Sequence, residues 1–376
     1  VSSGLLRCPV LVPFGDSRAA VRLLLTDEKQ SRVTIGGVVE TPGAPGAGPG
    51  PAADAFAVPF AVPFAVSDAA PDVAGARRVT YRVSQRFRYT YDGRATNLDH
   101  RLVAVPPPRH GGQFRRSVDL RVSAPGARTT WQRGPDGLQV ANIRIDVVPP
   151  TLDFDVTVVV ERIARAGWPA LPASALSSRR LLTATALTAP TPEMVDAARS
   201  LAGPDPVATA RRVCGWVHER IAYVSGSTDV ATTAAQALAG GRGVCQDQAH
   251  VMIAMCRAAG IPARYAQGHM LGEGASHAWV EVLVPAALAP PVAVVDAPAG
   301  ADTLAEAVDP ALAEAFTPGG VGAAAVAFDP CHNRLADLRY VTVAVGRDYQ
   351  DVAPTSGRYV GAGRGVLVAT ARVDVV

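Results

Sequence analysis

The sequence predicts an α+β protein, with an antiparallel β domain followed by a core that mixes helices and strands. Three observations lead there. Between residues 78 and 162 apolar and polar side chains alternate with period two. From residue 207 onward apolar side chains recur every three or four positions, as on a helix face. A well-bounded helical segment opening at Cys245 then gives way to a second alternating run from 276 to 284. With 376 residues, 48% of them hydrophobic and 18% charged, the chain is long enough for two domains with substantial cores.

Bulk chemistry narrows the function classes. The formal charge is +3, and Lys29 is the sole lysine among 36 basic residues, a bias too weak to argue for a nucleic-acid partner. Five cysteines, Cys8, Cys214, Cys245, Cys256 and Cys331, show neither paired C-x-x-C spacing nor a disulfide framework. A reducing cytoplasm is therefore the expected location. The sequence shows no signal-peptide pattern and no apolar run of about 20 residues, so neither export nor a membrane partner is expected. The oligomeric state is not readable.

Residues 1–77 read as a low-complexity or poorly structured extension and linker. Apolar patches at 10–14 and 21–25 could supply a strand or two, while 41–77 is rich in Gly, Pro and Ala and repeats Phe-Ala-Val-Pro. Residues 78–162 form the β domain. Val79, Tyr81, Val83, Phe87, Tyr89 and Tyr91 share one parity, and Arg78, Arg82, Arg86 and Arg88 the other. Val118, Leu120 and Val122 mark another strand; a Pro-Asp-Gly turn at 135–137 leads into a strand over 138–148; alternation from Leu152 to Val160 marks one more. Residues 163–190 connect to the core at 191–346, which carries an insertion rich in Ala, Pro and Gly at about 286–322. Residues 347–376 form a C-terminal β segment, in which Gly361 to Gly365 reads as a hairpin connection.

Within the core, Val207, Ala210, Cys214, Val217 and Ile221 form a helical stripe that buries Cys214, and a short helix over 232–238 ends at Gly240 and Gly241. The next helix begins at Cys245 and ends before Gly260 and Pro262. Its apolar face is Ala249, Met252, Ile253 and Cys256, which makes Cys256 a packing residue. Cys245 differs by its place in the first turn, where backbone amides and the helix dipole favour a thiolate; such settings lower a thiol pKa from about 8.5 to roughly 3.5–7.5. A base is available in His277, which shares a strand face with Trp279 and Glu281. Asp329, ending a strand before Pro330, could orient the imidazole. His218 and His250 read as exposed or capped helix residues, and His100 and His110 as part of the β domain. No H-E-x-x-H, paired C-x-x-C or EF-hand loop suggests a metal, and Cys331 beside His332 reads as a poor ligand pair because strand neighbours face opposite ways. No cofactor is expected.

The stretches TDVATTAAQALAGGRGVCQDQAHVMIAMCRAAGIPARYAQGH, SHAWVEV, FDPCHNR and RYVTVAVGRDYQDVAP, in this order, resemble the transglutaminase-like superfamily, in its bacterial branch with an N-terminal β domain. The resemblance spans about residues 78–376. It implies a papain-like core and a catalytic set of Cys245, His277 and Asp329. It further implies attack of the Cys245 thiolate on an amide of a protein or peptide substrate to give a thioester. Hydrolysis is the leading expectation, as in a cysteine protease or amidase; the alternatives are protein-glutamine acyl transfer and a catalytically inactive binding module with the same fold. Four departures stand out. Gln248 occupies a usually aromatic position and suggests a more polar, water-exposed groove wall. Gly268-His269 and Cys331-His332 alter two family segments. His277 and Asp329 lie 52 positions apart, farther than is usual, which is attributed to the insertion. Asp296 lies closer to His277 in sequence and competes with Asp329 for the third role.

Overall fold

The computed structural model describes residues 73, 75–272, 276–292, 321–361 and 364–376, together with the backbone of three strands, β1 (Leu6–Cys8), β2 (Ala20–Leu25) and β3 (Ser31–Gly36). The apolar patch at 10–14, the linker at 41–72, Asp296 and most of the insertion lie outside the described residues. An α+β architecture is present, with a β sandwich packed against a helical core built on its own sheet.

The sandwich uses β4 (Arg78–Tyr91), β5 (Ala95–Leu102), β6 (Arg109–His110), β7 (Gln113–Val122), β8 (Arg128–Arg133), β9 (Gln139–Val148) and β10 (Thr151–Ile163). The alternation in β4 does what it predicts: Tyr81, Val83, Phe87 and Tyr89 are buried, and Arg82, Arg86 and Arg88 face out. Two of those arginines meet acidic partners on the neighbouring β10, Arg86 with Asp155 and Arg88 with Asp153. Strands β5 and β8 escape the sequence reading because β5 carries Asn, Asp, His and Arg, while all six residues of β8 are exposed.

The core follows with β11 (Ala170–Pro172), α1 (Arg179–Leu182), α2 (Pro192–Leu201), α3 (Pro206–Arg220), β12 (Ala222–Tyr223), α4 (Ala234–Gly240), β13 (Arg242–Gly243) and α5 (Cys245–Ala258). Its sheet is completed by β14 (Ala263–Met270), β15 (Ser276–Pro285), β16 (Val321–Asp329), β17 (Arg334–Leu335) and β18 (Tyr340–Gly346). The order is β11-β16-β15-β14-β18, with β17 paired to β16, and every pairing is antiparallel. After α6 (Tyr349–Val352), the chain returns to the sandwich. There β19 (Thr355–Gly361) pairs with β5 in one sheet and β20 (Gly365–Val375) with β4 in the other. Gly361 to Gly365 is thus a crossing between sheets, not a hairpin. The short N-terminal strands extend the β20 edge.

Local chemistry sets the helix boundaries. Thr191 and Asp205 cap α2 and α3 just ahead of a first-turn proline, and Thr233 with Gln236 forms a capping box for α4. Helix α5 departs from the expected amphipathic form, since every residue from Cys245 to Arg257 is buried. It packs on β14 and β15 on one side and on α2, α3 and α4 on others. Its polar side chains serve buried backbone groups. Gln248 Nε2 donates to the Ile221 carbonyl (2.7 Å), the Arg257 guanidinium to the carbonyls of Leu181, Ala263 and Arg347, and His250 Nε2 accepts from the Tyr349 amide (3.2 Å). His250 is therefore neither exposed nor capped, and Gln248 is no groove wall. His218 is exposed, with Nδ1 3.1 Å from the Pro330 carbonyl.

Burial holds His100 and His250 each down to about 3. The unfolded chain then binds more protons than the folded one from about pH 6.5 downward, and stability is lost as pH falls toward 3. His250→Gln keeps an acceptor for Tyr349 and removes one titration. Its stability between pH 6 and 4, from urea melts, is expected to fall less steeply than that of the parent, by about 1.4 kcal/mol per pH unit at most.

Candidate active site

The first turn of α5 is held by its own sequence. Asp247 Oδ2 accepts from the Val244 amide (2.7 Å) and from Thr228 Oγ1 (2.5 Å), which ties the 228 loop to the residue preceding Cys245. Gln246 Nε2 donates to the Asp229 carbonyl (3.3 Å) from the same turn. Burial pushes the Asp247 carboxyl up to about 6 against those two hydrogen bonds, so above that pH an anion stands where the helix dipole favours one. Cys245 is 3% exposed and opens the helix that packs across β15, the strand that carries His277 near its start.

His277 and Asp329 meet because β15 and β16 are antiparallel neighbours. Val280 pairs with Phe328, so Trp279 faces Asp329 and the 52-position separation closes to adjacent places at one end of a hairpin. His277 Nε2 lies 2.8 Å from Asp329 Oδ2. The carboxylate accepts there, so Nε2 carries the proton and Nδ1 is left as the basic nitrogen of the neutral ring. The insertion joins the opposite end of this hairpin, beyond Pro285 and before Val321. Its described residues then turn back toward the site: the Pro290 carbonyl accepts from Trp168 Nε1 (2.6 Å), and Val292 lines a cavity with Trp279 and Tyr340.

Asp329 is fully buried and accepts five hydrogen bonds. Oδ2 takes His277 Nε2, His332 Nδ1 (2.8 Å) and the Tyr340 hydroxyl (2.6 Å); Oδ1 takes the amides of Cys331 (2.8 Å) and His332 (3.2 Å). Burial alone would raise its pKa, but His277 and His332 outweigh that and hold the carboxyl far below the usual range. Burial and the adjacent Asp329 raise the Tyr340 phenol, keeping it a donor. Trp279 meets the Tyr340 ring edge-on at 5.3 Å, and Arg334 lies over that ring and donates to its hydroxyl. Gly268 opposes His277 across the strand pair, and no side chain fits there: a Cβ would fall 2.0 Å from the Val341 carbonyl oxygen.

Two sequence expectations change. His332 lies in a turn at residues 330–333, with Asn333 at φ +49°, so strand alternation does not apply and its ring reaches Asp329. Glu281 shares the His277 face but serves elsewhere, held by Arg264 (2.6 Å) and by His110 of the β domain (2.5 Å). Burial would raise the Glu281 carboxyl, yet these partners bring it down to about 2. Sequence reasoning missed Tyr340 and His332 as partners of Asp329; the signal available was their position around the FDPCHNR segment. Cys214 and Cys256 are buried packing residues as expected, and burial pushes each thiol up to about 12. Cys214 Sγ also lies 3.5 Å from the Asp329 carbonyl.

Residues 196–288 match the family model described as the transglutaminase-like superfamily, and residues 81–161 match that of the bacterial transglutaminase-like N-terminal region. The first match ends before Asp329, whose place rests on the hydrogen bond to His277. An uncharacterized Mycobacterium leprae protein is 32% identical over 167 residues, covering 42% of this chain and 45% of that protein. The chain thus spans under half of that relative. An uncharacterized Mycobacterium bovis protein is 28% identical, covering 74% of this chain and 86% of its own. A crystal structure from Cytophaga hutchinsonii, provisionally described as a cysteine protease, aligns with TM-score 0.54 at 19% identity, covering 80% of this chain and 92% of that one. The fold is that of thiol-dependent enzymes. Among the described residues no helix is long and apolar enough to cross a membrane.

Tyr340→Phe removes one of five donors to a buried anion and is expected to destabilise the fold by about 1.5–3 kcal/mol. The denaturant midpoint checks this; an unchanged midpoint would mean that the remaining four donors suffice.

Proposed function

We propose, for a chain that belongs to the transglutaminase-like superfamily, that Cys245 is the nucleophile of an acyl-transfer reaction on amides and that water is its usual acceptor. The pair of His277 and Asp329 carries this reading: a buried imidazole, oriented by an anion, on the strand against which the helix of Cys245 packs. The thiolate attacks the carbonyl carbon of a peptide or side-chain amide. Backbone amides at the start of α5 are the donors available to the oxyanion, each worth about 2.7–4 kcal/mol in comparable sites. The imidazolium of His277 gives its Nδ1 proton to the leaving nitrogen, and an acyl thioester remains on Cys245. Water, deprotonated by the same nitrogen, then attacks the thioester; the carboxylic acid leaves and the thiol is restored. Asp329 holds the ring and balances the imidazolium charge throughout.

Acyl transfer to an amine is a second reading, favoured by one observation. Cys245 is 3% exposed, and a thioester shielded from bulk water survives long enough to meet an amine. The polar Gln248, which pointed to hydrolysis in the sequence, lends no support, because it is buried against Ile221. The substrate is proposed to be a protein or peptide. A cytoplasmic setting is consistent with the buried thiols Cys214 and Cys256.

Two measurements test these readings. Iodoacetamide at pH 7, read by peptide mass spectrometry, is expected to label Cys245 faster than Cys331 and to lose that preference in His277→Ala; equal rates in the two proteins would sink the Cys245 assignment. A glutamine-containing peptide incubated with the enzyme is expected to gain about 1 Da by deamidation or to be cleaved, with Cys245→Ala inert. An adduct of a supplied primary amine as the main product would replace hydrolysis by transfer.

A further inference from the structure

We propose that His277, Asp329 and His332 form a site for a borderline divalent cation of the zinc type, and that its occupation silences the thiol chemistry. The regulatory half rests on the function proposed above; the binding half does not. One ligand atom from each residue lies within 4.8 Å of the others. The imidazole nitrogens, Nε2 of His277 and Nδ1 of His332, each lie 2.8 Å from the same carboxylate oxygen, Asp329 Oδ2. Two imidazoles and a carboxylate suit zinc and disfavour magnesium or calcium, which take oxygen ligands.

The fit requires adjustment of two ring positions about a fixed carboxylate. Zinc bonds of about 2.0–2.1 Å at tetrahedral angles set ligand atoms about 3.3 Å apart, so each nitrogen-to-oxygen distance opens by about half an ångström and the two nitrogens, within 4.8 Å of each other, settle to the same spacing. The orientation of the carboxylate is already fixed by the Tyr340 hydroxyl and the amides of Cys331 and His332, the kind of outer support that metal-binding carboxylates use. The His332 side chain is 31% exposed, against 1% for His277 and 0% for Asp329, so an ion can enter from its side.

Silencing follows from the tautomers. At present His277 donates from Nε2 and keeps Nδ1 basic. Zinc needs the Nε2 lone pair, which moves the ring proton to Nδ1 with no net change in protons. Nδ1 is then a donor and cannot take a proton from the thiol or from water. His332 is the residue that makes this possible, since it brings the second imidazole to the carboxylate.

The test uses the tag-free full chain carrying Cys245→Ala and Cys331→Ala, titrated with zinc chloride by calorimetry, so that neither of these two thiols contributes; Cys214 and Cys256 are buried. One zinc per chain is expected, and adding His332→Asn is expected to weaken binding at least about tenfold. Thermal melts confirm that the Asn variant is folded; His332→Gln replaces it if it is not. Absence of uptake by the Cys-free site, or uptake unchanged without His332, overturns the proposal. In the otherwise wild-type chain, zinc should slow Cys245 alkylation, and His332→Asn should relieve the effect. Because the calorimetry runs without Cys245, a metal site and a failed acyl reaction, or the reverse, remain distinguishable.

Discussion

An ionised carboxyl taken out of water loses several kcal/mol of hydration, and only a full set of donors offsets that loss. Asp329 meets this condition with two imidazoles, a phenol and two backbone amides. Each donor comes from a defined place: His277 from β15, Tyr340 from β18, and the rest from the turn that follows β16. The carboxylate thus pins three strands and a turn to one point. The His277 imidazole is oriented as a by-product of satisfying a buried charge, so the stability of the sheet and the geometry of the candidate site share one cause.

A second buried anion performs the corresponding task between the two domains. Glu281 lies on the same strand as His277 and takes Arg264 from β14 and His110 from the sandwich. Arg264 continues to Asp136 (3.1 Å), and Asp136 to Arg180 (2.6 Å), so charges alternate from the β domain through the sheet to α1. Tyr81 adds a hydrogen bond from β4 to the Leu338 carbonyl, and Gln113 binds the backbone of Thr342 from β7. The β domain is therefore fastened to the strands that build the site. Its last strand pairs are supplied by β19 and β20, which follow the core in sequence, so the sandwich is completed by chain on both sides of the core.

The sequence was legible where one periodicity served one purpose. Strand β4 alternates because one face meets the sandwich core and the other meets water, and the start and stop of α5 were readable from Cys245, Gly260 and Pro262. The pairing of His277 with Asp329 could be anticipated through family resemblance despite the insertion. Legibility failed where polar side chains serve buried backbone. Gln248 and His250 look like a solvent face in sequence, yet they bond to Ile221 and Tyr349. It failed again at His332, because a turn breaks the alternation on which its exclusion rested. Strands such as β8, with no buried residue, carry no apolar signal at all.

The hairpin of β15 and β16 brings two features to one place. His277 and Asp329 occupy one end; the connecting segment leaves the other end after Pro285, yet by Pro290 and Val292 it has turned back to Trp168 and to the cavity beside Trp279. Register between the strands is fixed by six ladder positions, from Val280 opposite Phe328 to Pro285 opposite Ala323, most of them aliphatic. A segment grafted into that connection must therefore keep the Pro290 carbonyl on Trp168, because the ladder by itself does not hold the graft away from His277 and Asp329.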